Sequence, residues 1–254
     1  MTTHRFNYVV RVHEMGADYR LRPHHICSYY QDAIARHYAD LGLAAYDLQR
    51  ENRTWMLSAM RVDYTGAMPA WRTKVTVELW TRAIRRVRLY SDFRVTAESG
   101  ERVALGTGCW LIVDQGTRRP VSLDRMASKV DVHHDAVYAN HRFRRIDPPE
   151  GEATSLAQVV LQHDTDFNHH LNNLRYLVLS LEALPPEYQQ KHALQTLEVG
   201  FLDEAFLGDT ITSTAVRHGH TAWHRLTRGK DDMDICRMKS VWRPRSQGGD
   251  CEYN

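Results

Sequence analysis

The sequence predicts an α+β fold assembled twice along the chain, each copy a long helix wrapped by a curled antiparallel sheet. Three observations carry that expectation. The order strand, helix, four strands occurs in the first half of the chain and again in the second. Each half holds one long segment of helical periodicity. The segments after it are stretches of 8–13 residues, alternating or strongly apolar, bounded by turn signals. One helix face and one sheet face per half must bury each other, and a single helix lying across a curled sheet does so economically.

FNYVVRVHEM (6–15) reads as the first strand. In RPHHICSYYQDAIARHYADLGL (22–43), Ile26, Tyr30, Ile34, Tyr38 and Leu41 recur three to four residues apart, which predicts a helix with one buried face. Pro23 suits its first turn and Gly42 its end. Strands are then expected at 55–64, 73–82, 85–97 and 102–114. Val75, Val77 and Leu79 alternate cleanly, and ESGE (98–101) is a hairpin turn signal. The second half repeats the plan with a strand at 154–162, a helix at 172–184 closed by Pro185 and Pro186, and strands at 195–204, 209–217, 221–228 and 234–242. This is the hotdog architecture in tandem: an N-terminal hotdog domain at 1–125, a charged linker at 126–152 and a C-terminal hotdog domain at 153–254. The two sheets are expected to pair edge to edge, which covers two strand edges at once.

Composition narrows the function class. Hydrophobic residues make up 43% and charged residues 25%, an ordinary soluble balance. No apolar run reaches the roughly 18 residues of a membrane span, and MTTHRFNYVV lacks the charged-then-apolar plan of a secretory signal. Cys27, Cys109, Cys236 and Cys251 show no C-x-x-C spacing, so neither a zinc ribbon nor a disulfide framework is indicated and a reducing, cytoplasmic location is expected. A net charge of +2 does not announce a nucleic-acid binder. Arginine is nevertheless clustered in TRAIRRVRLY (81–90) and GTRRP (116–120). Arg85, Arg86, Arg118 and Arg119 thereby become candidates for an acidic partner surface, set against the alternative of plain solvated turns.

The densest chemistry lies in HDTDFNHHLNN (163–173), directly ahead of the second helix. One of its asparagines, Asn172 or Asn173, suits the helix N-cap. Asp166, Asn168 and His170 alternate, so in an extended segment they share one side. A helix start beside them offers backbone N–H groups and positive potential for a carbonyl oxygen gaining negative charge. A metal site built from His163, Asp166, His169 and His170 is the rival reading, but H-E-x-x-H spacing is missing. Glu204 closes a later apolar strand. The first half offers Asp18 at the corresponding place and no Asn-x-His pair, so the site is expected in the second half alone.

DTDFNHHLNNLRYL and LDEAFLGD resemble the acyl-acyl carrier protein thioesterases of plants and bacteria, whose motif runs D-x-N-x-H-V-N-N-x-x-Y. Here it reads Asp166, Asn168, His170, Leu171, Asn172, Asn173 and Tyr176. The family's strand-end glutamate falls on Glu204. WMLSAMRVDYTGAMPAWRTKVTVELW, SDFRV and WLIVDQGTRRPV resemble its N-terminal segment, so the resemblance covers nearly the whole chain. It implies hydrolysis of acyl-carrier thioesters to free fatty acids in fatty acid biosynthesis, with no cofactor, by Asp166, Asn168, His170 and Glu204. Plant members carry a cysteine after the strand-end glutamate, where this chain has Ala205, so a thiol nucleophile is not expected.

The expected mechanism holds the thioester carbonyl at the start of the 172–184 helix. Asn168 positions substrate or water, His170 orients it or relays a proton, and Asp166 or Glu204 activates water or attacks the carbonyl. The acyl chain is expected between sheet and helix of the first half, along Ile26, Tyr30, Ile34 and Trp55, each of which also suits an ordinary core. The arginine clusters would steer an acidic acyl carrier protein. Three matters stay open: coenzyme A as the carrier, a non-catalytic acyl-binding role, and association as a homodimer.

Overall fold

A computed structural model describes residues 3–133, 135–139, 141–148 and 150–245; Cys251 lies outside them. The first half runs β1 (His4–Val9), α1 (His24–Asp40), α2 (Ala45–Gln49), β2 (Arg53–Tyr64), β3 (Lys74–Arg85), β4 (Arg88–Ala97) and β5 (Arg102–Asp114). After α3 (Asp124–Ala127), the second half runs β6 (Ala153–Val159), α4 (Asn173–Glu182), α5 (Pro186–Lys191), β7 (His192–Phe201), β8 (Thr210–His218), β9 (Thr221–Arg228) and β10 (Met233–Pro244). All ten strands form one antiparallel sheet in the order β1-β3-β4-β5-β2-β7-β10-β9-β8-β6. The order reads the same from both ends once each strand is replaced by its counterpart in the other half. The seam is β2 against β7, from Ala59 opposite Gly200 to Asp63 opposite Thr196. Edge-to-edge pairing therefore joins the two halves as expected.

Val75, Val77 and Leu79 are fully buried, and so are Ile26, Tyr30, Ile34 and Tyr38 of α1. The Trp110 indole N–H donates to the Tyr30 hydroxyl at 2.8 Å, and the Tyr30 ring stacks on Phe93 at 4.2 Å. β5 makes room for this aromatic stack by carrying glycine. A Cβ on Gly108 would sit 2.4 Å from the Tyr30 hydroxyl, and one on Gly106 would sit 2.2 Å from the Phe93 ring.

Several elements depart from expectation: β6 ends at Val159 rather than 162, and β7 ends at Phe201, so Glu204 lies in the loop beyond the strand instead of closing it. The first strand ends at Val9 because Glu14 turns back to accept the Arg11 N–H at 2.7 Å, drawing Val12–Glu14 into a 3-10 turn. Pro185 and Pro186 do close α4, but Pro186 also opens α5, because its fixed φ suits a first helical turn. The short α2 carries too few residues to show periodicity. The linker packs rather than hanging free. Phe93 faces α1, so its neighbour Asp92 points to the opposite face, where it accepts the Val137 N–H at 2.8 Å. The paired Trp80 donates to the Asp135 carbonyl there, also at 2.8 Å. Among the described residues no helix is long and apolar enough to cross a membrane.

A buried histidine ties α4 to its sheet. His224 on β9 is fully buried, with Nδ1 2.8 Å from the Ser180 carbonyl of α4 and Nε2 2.8 Å from Ser240 Oγ of β10. A carbonyl only accepts, so Nδ1 is the donor in that contact. Burial pushes its pKa down to about 4 from the ordinary 6.5. An unfolded chain takes up that proton below about 6.5 while the folded one refuses it until about 4. Stability is thus complete above that window and lost as pH falls through it, by about 3 kcal/mol for this group. His37 and His24 are also pushed down by burial, so the wild-type curve alone does not isolate His224. Urea midpoints measured from pH 7 to pH 4 should therefore fall less steeply in His224→Gln than in wild type. Equal slopes would remove His224 from the acid response.

Candidate active site

The two halves carry the same backbone loop ahead of their helices, offset by 150 residues. In the second, Gln162–Asp164 forms a 3-10 turn, Asp166 N–H donates to the His170 carbonyl at 2.8 Å and Thr165 bridges Leu171. In the first, Val12–Glu14 forms the turn, Gly16 N–H donates to the Arg20 carbonyl at 2.8 Å and Met15 bridges Leu21. His169 and Tyr19 occupy equivalent left-handed positions at φ 63° and 54°. The segment is thus a tight turn, not the extended run that the alternation of Asp166, Asn168 and His170 suggested. Within this turn Asp166 Oδ1 accepts the N–H of Asn168 at 2.8 Å and of His170 at 3.4 Å. The first half makes the same turn with Gly16 in that place, so the bend comes from the shared backbone hydrogen bond and the left-handed residue before its end.

The strand end completes the site. Leu171 N–H donates to the Ala205 carbonyl and Leu21 N–H to the Pro69 carbonyl, each at 2.8 Å, which makes Met68 the counterpart of Glu204. The full equivalence is then Asp166 with Gly16, Asn168 with Asp18, His170 with Arg20, and Glu204 with Met68. Every one of the four differs in chemistry. Tyr176 of α4 clamps the strand end, its hydroxyl donating to the Asp203 carbonyl and accepting the buried Ala205 N–H, both at 3.1 Å. Arg228 fixes the same segment through the Glu204 carbonyl.

Glu204 so held points one carboxylate oxygen at His170, Oε1 lying 3.3 Å from Nδ1. Its other oxygen is ion-paired with Arg118 from the turn after β5. The His170 ring meets Phe206 edge to face at 5.0 Å. Asn168 Oδ1 lies 3.5 Å from the Thr54 hydroxyl of β2. The arrangement therefore draws on both halves. Thr54 and Arg118 were not foreseen as site members, because Arg118 stands 86 positions from Glu204 in sequence.

Asn172 is the N-cap of α4, accepting the Leu174 N–H at 2.9 Å, and Asn173 is the first helical residue. The N–H groups of Asn172 and Arg175 are also engaged, with the Asp164 and Asn172 carbonyls. Among the described residues the Asn173 N–H is the first-turn amide left to receive an oxygen.

The remaining candidates lie as follows. Ile26, Tyr30 and Ile34 are packed in the core against the first-half sheet. Trp55, half-buried next to Thr54, stacks on Tyr38 at 4.9 Å and donates to the Leu43 carbonyl at 2.9 Å. Arg85 and Arg86 are exposed at the β3–β4 turn, as is Arg119 after β5. Leu123 N–H donates to the Arg86 carbonyl at 2.8 Å, so both arginine clusters share the end of the sheet where Thr54 and Arg118 meet the second half. The Arg118 side chain, about half exposed, is ion-paired with Glu204. His163 is exposed against Asp164 while His170 faces Glu204. Among the described residues no three metal-binding side chains converge.

The comparisons agree with the tandem fold. The acyl-ACP thioesterase N-terminal domain model matches residues 1–128 and the C-terminal domain model residues 149–244. The chain is 24% identical to the chloroplastic acyl-(acyl-carrier-protein) hydrolase FATB1 of Cuphea viscosissima over 262 residues, covering 96% of this chain and 62% of that one. It is also 24% identical to the chloroplastic palmitoyl-acyl carrier protein thioesterase of Gossypium hirsutum, covering 94% and 63%. It thus spans under two thirds of the length of these relatives. An acyl-ACP thioesterase structure from Bacteroides thetaiotaomicron has the same fold, with a TM-score of 0.84 at 19% identity over 95% of this chain and 98% of that one. So does the 12:0-ACP thioesterase of Umbellularia californica, with 0.82 at 19% identity over 96% and 98%. With both domain models matched in order along a tandem hotdog, the chain belongs to the acyl-ACP thioesterase family.

Proposed function

We propose that this protein hydrolyses acyl-acyl carrier protein thioesters to a free fatty acid and the carrier thiol. The observation that carries this reading is the Asp166, Asn168, His170 and Glu204 set, present in one of two otherwise equivalent loops. Glu204 holds His170 through Nδ1, leaving Nε2 to take a proton from water as that water attacks the thioester carbonyl. The oxygen gaining charge is received by the Asn173 N–H and the positive end of α4. Collapse of the tetrahedral intermediate breaks the C–S bond, and the imidazolium returns its proton to the leaving thiolate. Asn168 orients carbonyl or water. Asp166, with Oδ1 committed to two backbone N–H groups, holds the loop in shape. A cysteine takes no part, and Ala205, fully buried, leaves that place without a thiol.

The acyl chain lies against the first-half core near Trp55, and the arginine-rich end of the sheet beside the site faces the acidic carrier. Cys27, Cys109 and Cys236 are free, in keeping with a reducing cytoplasm and a role in fatty acid biosynthesis. Coenzyme A is the competing carrier, because its phosphates suit the same arginines.

Thiol release should be measured across acyl-carrier substrates from short to long, their coenzyme A counterparts and a short neutral thioester. Carrier substrates are expected to be preferred. Reversing Arg85 and Arg86 to Glu should erode that preference and leave the neutral thioester alone. The erosion should shrink with salt, since exposed charges are screened over about 8 Å near physiological ionic strength. Equal use of coenzyme A substrates would replace the carrier, and no thiol from any thioester would leave an acyl-binding protein.

A further inference from the structure

We infer that Arg118 is a positioning residue for hydrolysis, holding Glu204 in the orientation that presents its carboxylate to His170. The inference rests on the thioesterase reading. It assigns the first half a direct part in chemistry whose reacting groups all lie in the second.

The turn that carries Arg118 is built to present it. Asp114 Oδ1 accepts the Thr117 N–H at 2.7 Å and the Thr117 hydroxyl at 3.0 Å, and these bonds hold its carboxyl below the usual carboxylate range. Arg118 N–H donates to the Asp114 carbonyl at 2.8 Å, and Asp114 N–H to the Arg119 carbonyl at 3.0 Å. Gln115 N–H ties the turn to the Asn52 carbonyl at 2.8 Å. Arg118 itself sits at φ 58°, a left-handed conformation that glycine or asparagine adopts at lower cost.

The Glu204 backbone is fixed by Arg228 and the Tyr176 clamp, but its side chain is a quarter exposed and turns about three bonds. One anchor at His170 leaves the carboxylate free to rotate. A second anchor on the other oxygen, one N–H of the planar Arg118 guanidinium, fixes the plane. The opposite crossing is also present. Arg245 of the second half reaches Asp18 in the first-half loop at 2.7 Å. Each half thus lends an arginine to the other's loop region, and of these two it is Arg118 whose carboxylate partner faces a histidine.

The test is turnover of a short neutral thioester, which removes carrier docking from the measurement. Arg118→Ala should lower kcat by about 10²-fold, as expected when a reacting group drifts by about 1 Å, with KM nearly unchanged. Guanidinium ion should restore part of the rate to Arg118→Ala and none to Glu204→Gln, and Arg118→Lys should fall between. The double variant Arg118→Ala/Glu204→Gln should be no slower than Glu204→Gln alone, because both act through one contact. Wild-type kcat in Arg118→Ala, or a defect confined to carrier substrates, would overturn the inference while leaving the thioesterase reading intact. If wild type hydrolyses no thioester, that reading falls first. The contact is then judged by the His170 Nδ1 resonance, which should shift in Arg118→Ala in the direction it shifts in Glu204→Gln. An unmoved resonance in Arg118→Ala would end the inference.

Discussion

Glu204→Gln is expected to slow thioester hydrolysis by about 10²–10⁴-fold while substrate binding is largely kept. The amide fills the same volume and loses the charge. It can neither stabilise the imidazolium that forms when His170 takes a proton from water nor pair with Arg118. The comparison that gives the result meaning is alkylation. Cys27, Cys109 and Cys236 are buried, and burial pushes the Cys27 thiol up to about 12 and raises the other two. Thiolate is the reactive form, so iodoacetamide should leave the native enzyme active. Replacing all four cysteines by serine or alanine should do the same in any variant that folds. Loss of activity on alkylation together with a harmless Glu204→Gln would restore a thiol mechanism.

The repeat was legible because periodicity reports burial. Residues 221–228 and 102–114 were read as strands at the limits the fold adopts, since their apolar residues face a packed helix. The seam was legible only in kind. That two edges pair follows from the cost of leaving them open, but nothing in the local pattern of β2 or β7 says that these two are the ones. In the site, the Asn172 cap could be read because capping is local, whereas Glu204, distant from the loop in sequence, is joined to Asp166, Asn168 and His170 through the family resemblance. The shape of the loop could not be read. Alternation at 166, 168 and 170 suggests extension, but the backbone closes on itself from Asp166 to His170 through a left-handed His169, as it does from Gly16 to Arg20, and periodicity does not record that. Thr54 and Arg118 were illegible for a different reason. Each reaches the site only because the halves share a sheet, and a contact across 86 or 114 residues leaves no trace in either segment alone.

Duplication also sets the sharpest expectation for location. His170→Ala should bring hydrolysis close to background, because in the proposed mechanism His170 moves the proton between water and the leaving thiolate. Asp18→Asn, at the position equivalent to Asn168, should leave the rate nearly unchanged. Asp18 pairs with Arg245 and accepts the Arg20 N–H at 3.2 Å, contacts that shape a loop whose other equivalents are Gly16, Arg20 and Met68. No acid or base faces a bound carbonyl from that set. Asp166→Asn distinguishes the two roles open to Asp166. An amide oxygen still accepts the Asn168 and His170 N–H groups, so a residue that only shapes the turn survives the change with much of its activity. A carboxylate that attacks the carbonyl or removes a proton from water does not, and the rate would then fall by at least the 10²–10⁴-fold expected of Glu204→Gln. Steady-state kcat and KM on one acyl-carrier substrate decide all three. A loss from Asp18→Asn comparable to that from His170→Ala would place chemistry in both loops and overturn the division of labour between the halves.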